Sequence, residues 1–575
     1  MSATGELISR IYSNFRGVDF RGEEINLVRS PDSLNVWKDY KETESIRTRP
    51  AMEFMLGGKA NSFTIYKDSI IAHQGTTLYK LPANPPYNNV RILATNLADV
   101  PSNLFVHDEK IYIMDGEHYL VTDGSTQATE VVGYVPTTTI GRKPSGGGTI
   151  HEDVNMLQPK RRNAFAGDGE SRIFSLDTTG IEEITGVWVD GELIPATEYA
   201  GCSTRYYDEN LGAWVTGEGV SINTEEPPPK PFTDGQDNVV IEFKKTIQGY
   251  REQILKCTVL TIFDNRVFVS GNPDYPNYLW HCSLRDPTYF SDKDYYQDGM
   301  DTAKIKGVVA GNNALWVFRE PSTDGTTVFY HTPTIDDEYG KVYPSVHSSA
   351  ALGCVGKAIN FNDDIVFFSE RGMEGISGDV TTEQVVAHRS SLVDRKMLAE
   401  KNYKDMVLAE WEGYLFVFIG NKAYLADSRT AFTVDNHIEY EWFYWEMEKE
   451  IRSAVTCNGM LYLGTDDGIY TLTDYDKDIE AYWTTPKDKF KYPHMLKTTN
   501  KRGCVAEATG DITVYAKVED TGFELIGEYK DVQDYFVSRI KRKKFKDIQL
   551  KFHSNTRFSL ETVTLEAWIG GYIKR

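Results

Sequence analysis

Short runs of alternating apolar and polar residues, joined by polar turns, recur along most of the chain. Such a run is typical of a half-buried β-strand, because successive side chains of a strand point to opposite faces. Two runs around an Asp, Asn or Gly turn predict a hairpin. Seven copies are present: SFTIYKDSIIAHQGTTLYKL (62–81), LFVHDEKIYIMDGEHYLVTD (104–123), VLTIFDNRVFVSGN (259–272), GVVAGNNALWVFRE (307–320), AINFNDDIVFFSERGMEGIS (358–377), VLAEWEGYLFVFIGNKAYLAD (407–427) and SAVTCNGMLYLGTDDGIYTLTD (453–474).

The spacing of these hairpins predicts a repeat architecture. Successive turns are 40, 156, 48, 50, 50 and 46 residues apart. Apart from the long interval, this is the period of a four-stranded propeller blade, about 40–50 residues. A lone hairpin cannot bury its face, whereas radially packed blades can. We therefore predict an all-β chain with a β-propeller of six to eight blades. The alternative is that the hairpins belong to unrelated sandwiches. The turns lie near Asp68, Asp108, Asp264, Asn312, Asn362, Glu412 and Asn458.

The long interval contains about one blade period and about 100 further residues. Residues 141–163 are polar and Gly-rich, which is typical of a linker. The segments that follow form short predicted strands with Gly and Pro turns, and VWVDGELI contains an Asp-Gly hairpin signal. We predict a small β-sandwich inserted at 160–250.

After residue 474 the pattern changes to longer alternating segments, which predicts a C-terminal antiparallel β-sandwich at 475–575. The predicted organisation is therefore an N-terminal segment with the first blades (1–150), the insert, the remaining blades (251–474) and the C-terminal sandwich. Helix is scarce, and the credible stretch lies at 390–405.

Composition supports a folded β protein and argues against a nucleic-acid binder. Hydrophobic residues make up 40% of the chain and aromatic residues 12%, which suffices for packed cores and favours pleated surfaces. The net charge is −22, so binding along the phosphate backbone of a nucleic acid is not expected. The acidity would suit a surface that repels nucleic acid, or one that only keeps the protein in solution.

The six cysteines and the apolar runs bear on compartment. No two cysteines are closer than 25 residues, so no CxxC pair exists, and we expect buried, reduced thiols. The N-terminus lacks a signal-peptide apolar region, and no run approaches 18 apolar residues. We therefore expect folding in the cytoplasm and no membrane span. The cysteines are Cys202, Cys257, Cys282, Cys354, Cys457 and Cys504.

Three segments invite a functional interpretation, and each has a structural alternative that we prefer. STDGTTVF (322–329) is similar to a sialidase-type turn but has one residue too few between Asp324 and Gly325. DYDKDIE (474–480) begins like a calcium loop, but Ile479 and Thr485 stand where Gly and Glu are required. The basic run RIKRKKFK (539–546) could grip phosphate, yet a protected strand edge or an intersubunit contact is the preferred interpretation.

Catalytic motifs are absent from the sequence. There is no GxSxG, P-loop, HExxH or GxGxxG, and no histidine pairs with a Cys or His at ligand spacing. We therefore predict no enzyme, no catalytic, cofactor-binding or metal-binding residues, and no cofactor.

The N-terminal segment FRGVDFRGEEINLVRSPDSLNVWKDYKETESIRTRP (15–50) carries a family resemblance. Its core SPDSLNVW (30–37), followed by IRTRP (46–50), resembles the opening of tail-nozzle or packaged-DNA stabilisation (head-closure) proteins of tailed bacteriophages. FAGDGESRIFSLD (165–177) with VWVDGELIPATEYA (187–200) is similar to the small sandwich often fused to such proteins. The closing VTLEAWIGGYIKR (563–575) is also similar to their C-termini.

The resemblance implies a structural virion protein, located in the tail or head–tail connection and assembled in the host cytoplasm. Such proteins form a homo-oligomeric ring, commonly a hexamer, around the DNA exit channel, where they retain DNA and conduct it at genome ejection. The implied partners are neighbouring connector or tail proteins and passing DNA that is not bound by sequence. With an acidic chain we expect acidic residues to be biased toward the channel.

Two other functions remain open from the sequence. One is a propeller-based glycan-binding or glycan-cleaving tail protein that contacts a receptor, which predicts a polar, aromatic-lined pocket. The other is an intracellular propeller scaffold, which predicts WD or kelch signatures that this sequence lacks.

Overall fold

A computed structural model describes residues 5–22, 27–39, 44–84, 87–208, 213–336, 340–350, 352–377, 383–434, 437–541 and 544–572. The chain is almost entirely β-sheet, as predicted. Seven four-stranded antiparallel sheets follow one another along the chain and form the propeller blades. The all-β fold with β-propeller blades is confirmed.

The first three blades precede or flank the insertion. Blade 1 consists of Ala60–Tyr66, Ser69–Gln74, Thr77–Pro82 and Arg91–Ala94. Blade 2 consists of Asn103–His107, Lys110–Met114, Tyr119–Thr122 and Thr129–Glu130. Blade 3 consists of Val259–Phe263, Arg266–Ser270, Tyr278–His281 and Tyr295–Gln297.

Four blades follow blade 3, and the last takes a strand from the N-terminal part of the chain. Blade 4 consists of Ile305–Gly311, Ala314–Arg319, Val328–His331 and Ser345–His347, with a side hairpin of Thr334–Asp336 and Gly340–Val342. Blade 5 consists of Ala358–Phe361, Asp364–Ser369, Gly372–Ser377 and Val385–His388. Blade 6 consists of Val407–Trp411, Tyr414–Ile419, Lys422–Val434 and His437–Glu446. Blade 7 consists of Ser453–Cys457, Met460–Gly464, Gly468–Asp474 and Ala51–Gly57.

The turns chosen from the sequence explain why these hairpins form. Asp264 and Asn265 both have positive φ, as do Asn312 and Asn313. Two consecutive residues with positive φ make the type I′ turn, whose twist matches that of the flanking strands. Asn and Asp tolerate this conformation better than other side chains.

The inserted β-sandwich consists of two sheets packed over an apolar core. The larger contains Thr149–Ile150, Thr137–Arg142, Lys160–Phe165, Val239–Lys244, Glu183–Val189 and Glu192–Leu193, in that order; the smaller contains Ile173–Ser175, Ala213–Ile222 and Tyr199–Asp208. Phe165, Phe174, Val187 and Phe243 are completely buried between them. The larger sheet therefore includes parts of the stretch 141–163, which the sequence predicts as a linker. The Gly residues of this stretch serve tight turns within the domain, and this explains the difference.

In the described residues, the C-terminal part of the chain forms one eleven-stranded sheet that also includes strands of the N-terminal segment. The C-terminal strands are Ala481–Thr484, Met495–Val518, Glu524–Val532, Tyr535–Ser538, Lys544–Phe545, Ile548–Ser554 and Phe558–Tyr572. They are joined by Glu6–Tyr12, Ser33–Leu34, Val36–Trp37 and Ile46–Thr48. The sequence places the N-terminal segment with the first blades, so this pairing is a departure from the predicted organisation.

Helix is confined to short pieces. Asp394–Met397 and the 3-10 turn Tyr403–Asp405 lie in the predicted stretch 390–405. The sequence did not predict the helix Tyr250–Leu255 or the 3-10 turn Ala196–Glu198. With six residues or fewer, none of these shows a helical period strong enough to recognise.

The chain divides into two compact units. The first is Met1–Val106, Gly124–Gln127 and Ile305–Arg575, and the second is His107–Asp123 and Ala128–Lys304. The hairpin at 62–81 lies in the first unit and the hairpin at 259–272 in the second. Within the first unit, the first strands of blades 4 and 5, of blades 6 and 7, and of blades 7 and 1 contact each other.

Candidate functional site

The residues that carry the family resemblance fold into one buried structure, which we call the N-terminal clamp (residues 15–50, described over 15–22, 27–39 and 44–50). It lies between blade 6 and the C-terminal sheet, both in the first compact unit. Ser33 and Leu34 pair with Trp483 and Tyr482 of that sheet. On the other side, the backbone N–H of Asn35 donates to the carbonyl of Tyr444 in blade 6 at 3.1 Å.

Gly17, near the start of the clamp, occupies a position that requires glycine. Its φ is +97°, a conformation that L side chains rarely adopt. A Cβ atom at this position would lie 1.9 Å from the carbonyl oxygen of Trp442. The close approach lets the N–H of Val18 donate to that same oxygen at 2.6 Å.

Arg29 and Glu441 form a buried ion pair across the clamp. Nε of Arg29 donates to Oε2 of Glu441 at 2.6 Å, and a second guanidinium nitrogen donates to Oε1 at 2.7 Å. Both side chains are almost fully buried. Burial raises the pKa of Glu441, although the hydrogen bonds from Arg29 oppose this shift. Two parallel bonds to a carboxylate fix the relative position of both groups.

Asn35 of the SPDSLNVW motif and Arg49 of the IRTRP motif join the two motifs to each other. Nε of Arg49 donates to Oδ1 of Asn35 at 3.0 Å, and the same oxygen accepts from the backbone N–H of Glu446. The amide nitrogen of Asn35 donates to the carbonyl of Glu480 at 3.0 Å. One side chain thus bonds to the clamp, to blade 6 and to the segment that enters the C-terminal sheet.

Trp37 is the largest buried apolar side chain of the clamp. Its ring is fully buried. It stacks on Trp411 with 5.4 Å between ring centroids and meets Trp445 edge-on at 5.3 Å. Both arrangements are favourable for aromatic quadrupoles. The clamp is therefore a structural joint, in which Arg29, Asn35 and Arg49 bond to other parts of the protein.

The two loop motifs of the sequence form ordinary turns. Asp324 lies between two strands of blade 4, where its carboxylate accepts from the backbone N–H of Thr326. Asp474 accepts from the N–H groups of Asp476 and Lys477, and these bonds lower its pKa. Among the residues that the structure describes, no group of three or more His, Cys, Asp or Glu side chains could hold a metal ion.

His388 is a strongly perturbed histidine and an acid–base candidate. It ends a strand of blade 5, where its Nδ1 lies 3.2 Å from Oε1 of Glu374 and its Nε2 lies 2.5 Å from Oδ2 of Asp394. Burial lowers the pKa of His388, but the hydrogen bonds to Asp394 and Glu374 outweigh it and raise the pKa to about 10. Both ring nitrogens are occupied and the ring is cationic at neutral pH, so it is unsuited to act as a general base.

The stability of the protein should depend on His388 at alkaline pH. Because the folded pKa of His388, about 10, lies above the ordinary value of 6.5, its contribution is complete below pH 6.5 and is lost as pH rises toward 10. The free energy of unfolding should therefore decline between pH 6.5 and pH 10 in the wild type, and we expect His388→Gln to remove the part of this decline that the histidine causes. Denaturant titrations at several pH values measure it, with the exposed His494→Gln as the matched control. A decline of unchanged size in His388→Gln would contradict the assignment.

The basic run 539–546 lies at a sheet edge. Lys544 and Phe545 pair only with the long strand Met495–Val518 among the described strands, while Arg542 and Lys543 lie outside the described residues. Charge is divided unevenly along the chain: residues 481–575 contain 18 Lys and Arg against 12 Asp and Glu, a net charge of +6. The net charge of the whole chain is −22, so the remaining residues 1–480 carry a net charge of −28. This asymmetry can be read from the composition of the two parts of the chain alone.

All six cysteines are free and five of them are buried, as expected for small apolar side chains. Burial raises the pKa of Cys282 and of Cys504 to about 12, which disfavours the reactive thiolate. No helix in the described parts of the chain has the length and apolar character needed to cross a membrane.

Comparison with known proteins identifies no family for this chain. Neither a family model nor a curated protein matches the sequence. Among solved structures, BamB from Moraxella catarrhalis is similar over 71% of this chain and 92% of its own, with 10% identity and a TM-score of 0.33. AztD from Citrobacter koseri covers 80% and 99%, with 10% identity and a TM-score of 0.33. The Pan2 WD40 domain of Neurospora crassa covers 73% and 90%, with 9% identity and a TM-score of 0.25. Similarity at this level carries no argument about function.

Proposed function

We propose that this chain is a structural virion protein of a tailed bacteriophage, one subunit of a ring around the DNA exit channel. In this role it belongs to the tail nozzle or the DNA-retention apparatus of the head–tail connection. It meets neighbouring connector or tail proteins, and DNA passes it at ejection without being read by sequence.

The observation that carries the proposal is the N-terminal clamp. The segment that resembles nozzle proteins is built as a joint, with Trp37, Asn35 and Arg49 bonded to blade 6 and to the C-terminal sheet. Buried hydrogen bonds and ring contacts that join several elements hold those elements in fixed relative positions, since breaking them is costly. A part that must keep its shape while DNA moves past it requires this kind of joint.

The chemistry of the described side chains fits a passive role. His388, whose pKa is strongly perturbed, is held by two carboxylates, and the buried thiols are protonated. The acidic residues 1–480 would keep phosphate groups from adhering, because affinity for DNA depends on cationic contacts. Lys306 and Glu410 are the two charged residues in the first strands of the seven described blades. The acidity of residues 1–480 therefore resides in other strands and in loops.

One observation favours the second candidate, a glycan-binding tail protein. A depression of about 430 Å³ in the second compact unit is lined by polar groups and by Tyr275. Tyr275 packs edge-on against Tyr278, which stacks on Trp280 and on the exposed Tyr295. Sugars are recognised by hydrogen-bonding groups beside aromatic rings, so this surface suits a glycan. It contains carboxylates of Glu252 and Asp274, but Asp274 is paired with Lys256 at 2.8 Å.

Native mass spectrometry of the full chain, together with titration against duplex DNA and polysaccharides, tests the proposal. We expect a closed oligomer, most simply a hexamer, with no DNA binding at physiological salt. A monomer at micromolar concentration would contradict the ring. Hydrolysis of a polysaccharide, abolished by Glu252→Gln or Asp274→Asn, would contradict the passive role and support the second candidate as an enzyme.

A further inference from the structure

The C-terminal sheet exposes one face that the rest of its unit leaves open. Pairing aligns Ile11, Thr564, Val505 and Val537 in a single row across four neighbouring strands. The next residues along these strands, including Tyr12 and Phe536, point to the opposite face and are buried. Because side chains alternate along a strand, the row must lie on the outer face.

This outer face is apolar to an unusual degree for an exposed surface. Ile11 is 65% exposed, Tyr535 61% and Val537 44%. Leu7 and Trp568, which face each other across two strands, are also exposed. We call these five residues the open face. Contiguous exposed apolar residues on a sheet mark an interaction site more often than scattered ones do.

The rim of the open face carries charges of both signs. The exposed basic residues Lys501, Arg502, Arg539, Lys541 and Lys544 and the exposed acidic residues Glu6, Asp534 and Glu561 lie on or beside its strands. Two carboxylates, Glu507 and Glu566, are half-buried within the same face. An apolar centre with a charged rim is the usual anatomy of a protein–protein interface.

The edge of this sheet is open as well. Glu524–Val532, Tyr535–Ser538 and Lys544–Phe545 follow one another along the strand Met495–Val518, and in the described part of the chain no strand pairs with their outer side. Between the first of them and the basic run lies a cavity of about 130 Å³ lined by Leu525, Arg539 and Lys541. The face and its edge form a continuous surface.

We infer that the open face binds a second copy of this chain through that copy's acidic surface. The argument is charge complementarity between the two parts of the chain: residues 481–575 carry +6 and residues 1–480 carry −28, so the C-terminal part of one copy attracts the remainder of another. A contact between two different surfaces of identical chains is head-to-tail, and such contacts form a ring when the rotation between neighbouring copies closes. The inference rests on the proposed ring and identifies which surface holds it together.

Sedimentation velocity of the full chain tests the inference with a pair of doubly substituted variants. We expect Ile11→Glu/Val537→Glu to raise the dissociation constant between subunits at least about tenfold, because charges buried at the centre of an interface are costly. The matched control is Leu193→Glu/Ile335→Glu, which adds the same charge at residues that are 62% and 81% exposed elsewhere, and it should assemble as wild type does. Wild-type association should also weaken as salt rises, since exposed charges are screened.

The outcomes separate the two proposals. If wild type is oligomeric and the open-face variant assembles equally well, the inference is contradicted while the ring stands. If wild type is a monomer, both are contradicted. Equal dissociation of the variant and the control would indicate general repulsion and contradict the inference. Lys541→Glu/Lys544→Glu, on the rim, repeats the test should the open-face variant fail to fold by circular dichroism.

Discussion

Replacing Trp37 by alanine should destabilise the protein more than any other single truncation in the clamp. The ring is completely buried between Trp411 and Trp445, so its removal leaves a large cavity beside rigid aromatic neighbours. Truncations of this kind cost about 3–5 kcal/mol in the free energy of unfolding. Denaturant titration followed by tryptophan fluorescence and circular dichroism measures the change.

The control for this experiment is Phe232→Ala. That ring is 104% exposed, and exposed substitutions usually change stability by less than about 0.5 kcal/mol. A Trp37→Ala variant that unfolds at the same denaturant concentration as Phe232→Ala would show that the clamp contributes little to holding blade 6 and the sheet together.

Breaking the Arg29–Glu441 pair should have a comparable effect. Arg29→Met leaves a carboxylate that is completely buried, with Arg16 at 3.8 Å as a weaker, more exposed neighbour. Removing one partner of a buried pair costs about 3–5 kcal/mol, because the other charge is left without compensation. The loss should be smaller at acidic pH, where Glu441 is neutralised.

The double variant Arg29→Met/Glu441→Leu separates the charge effect from packing. Replacing both partners by apolar residues is often neutral, so most of the lost stability should return. If the double variant were as unstable as the sum of the two single variants, the two residues would act independently. The bidentate contact would then have no energetic role in the clamp.

The sequence predicted the repetitive part of the fold well, for a physical reason. Each blade hairpin has a local signal, since Asp264 or Asn312 specifies the turn and the alternating residues on either side specify the strands. The N-terminal strands have no comparable signal. Val36–Trp37 and Ser33–Leu34 are two residues long, and their partners lie more than 400 residues away or across a loop.

The candidate site was predicted only in part. The motifs SPDSLNVW and IRTRP could be recognised as a unit, but their role as a joint depends on contacts such as Asn35 with Glu480 that no local pattern reveals. The sequence does not predict the cluster of Glu374, His388 and Asp394. These residues lie on two strands and at the start of a helix, and such groups have no fixed spacing along the sequence. A strand edge or an intersubunit contact was the preferred interpretation of the basic run 539–546, and the uneven charge could have been counted directly.

The charge distribution refines the electrostatic part of the proposal. The expectation from the sequence was that acidic residues line the channel. The acidity belongs to residues 1–480, while the C-terminal sheet is basic and has an open face. A ring joined through that sheet would direct its basic part into subunit contacts and leave the acidic part for the bore, so one division of charge would serve both assembly and passage of DNA.

Electron microscopy of the purified oligomer tests the central claim most directly. Class averages should show a closed ring of identical subunits around a central bore wide enough for duplex DNA, and a reconstruction should place residues of 1–480 on the bore. Discrete monomers, or an open assembly without a central bore, would contradict the claim that this chain encloses the path of the DNA.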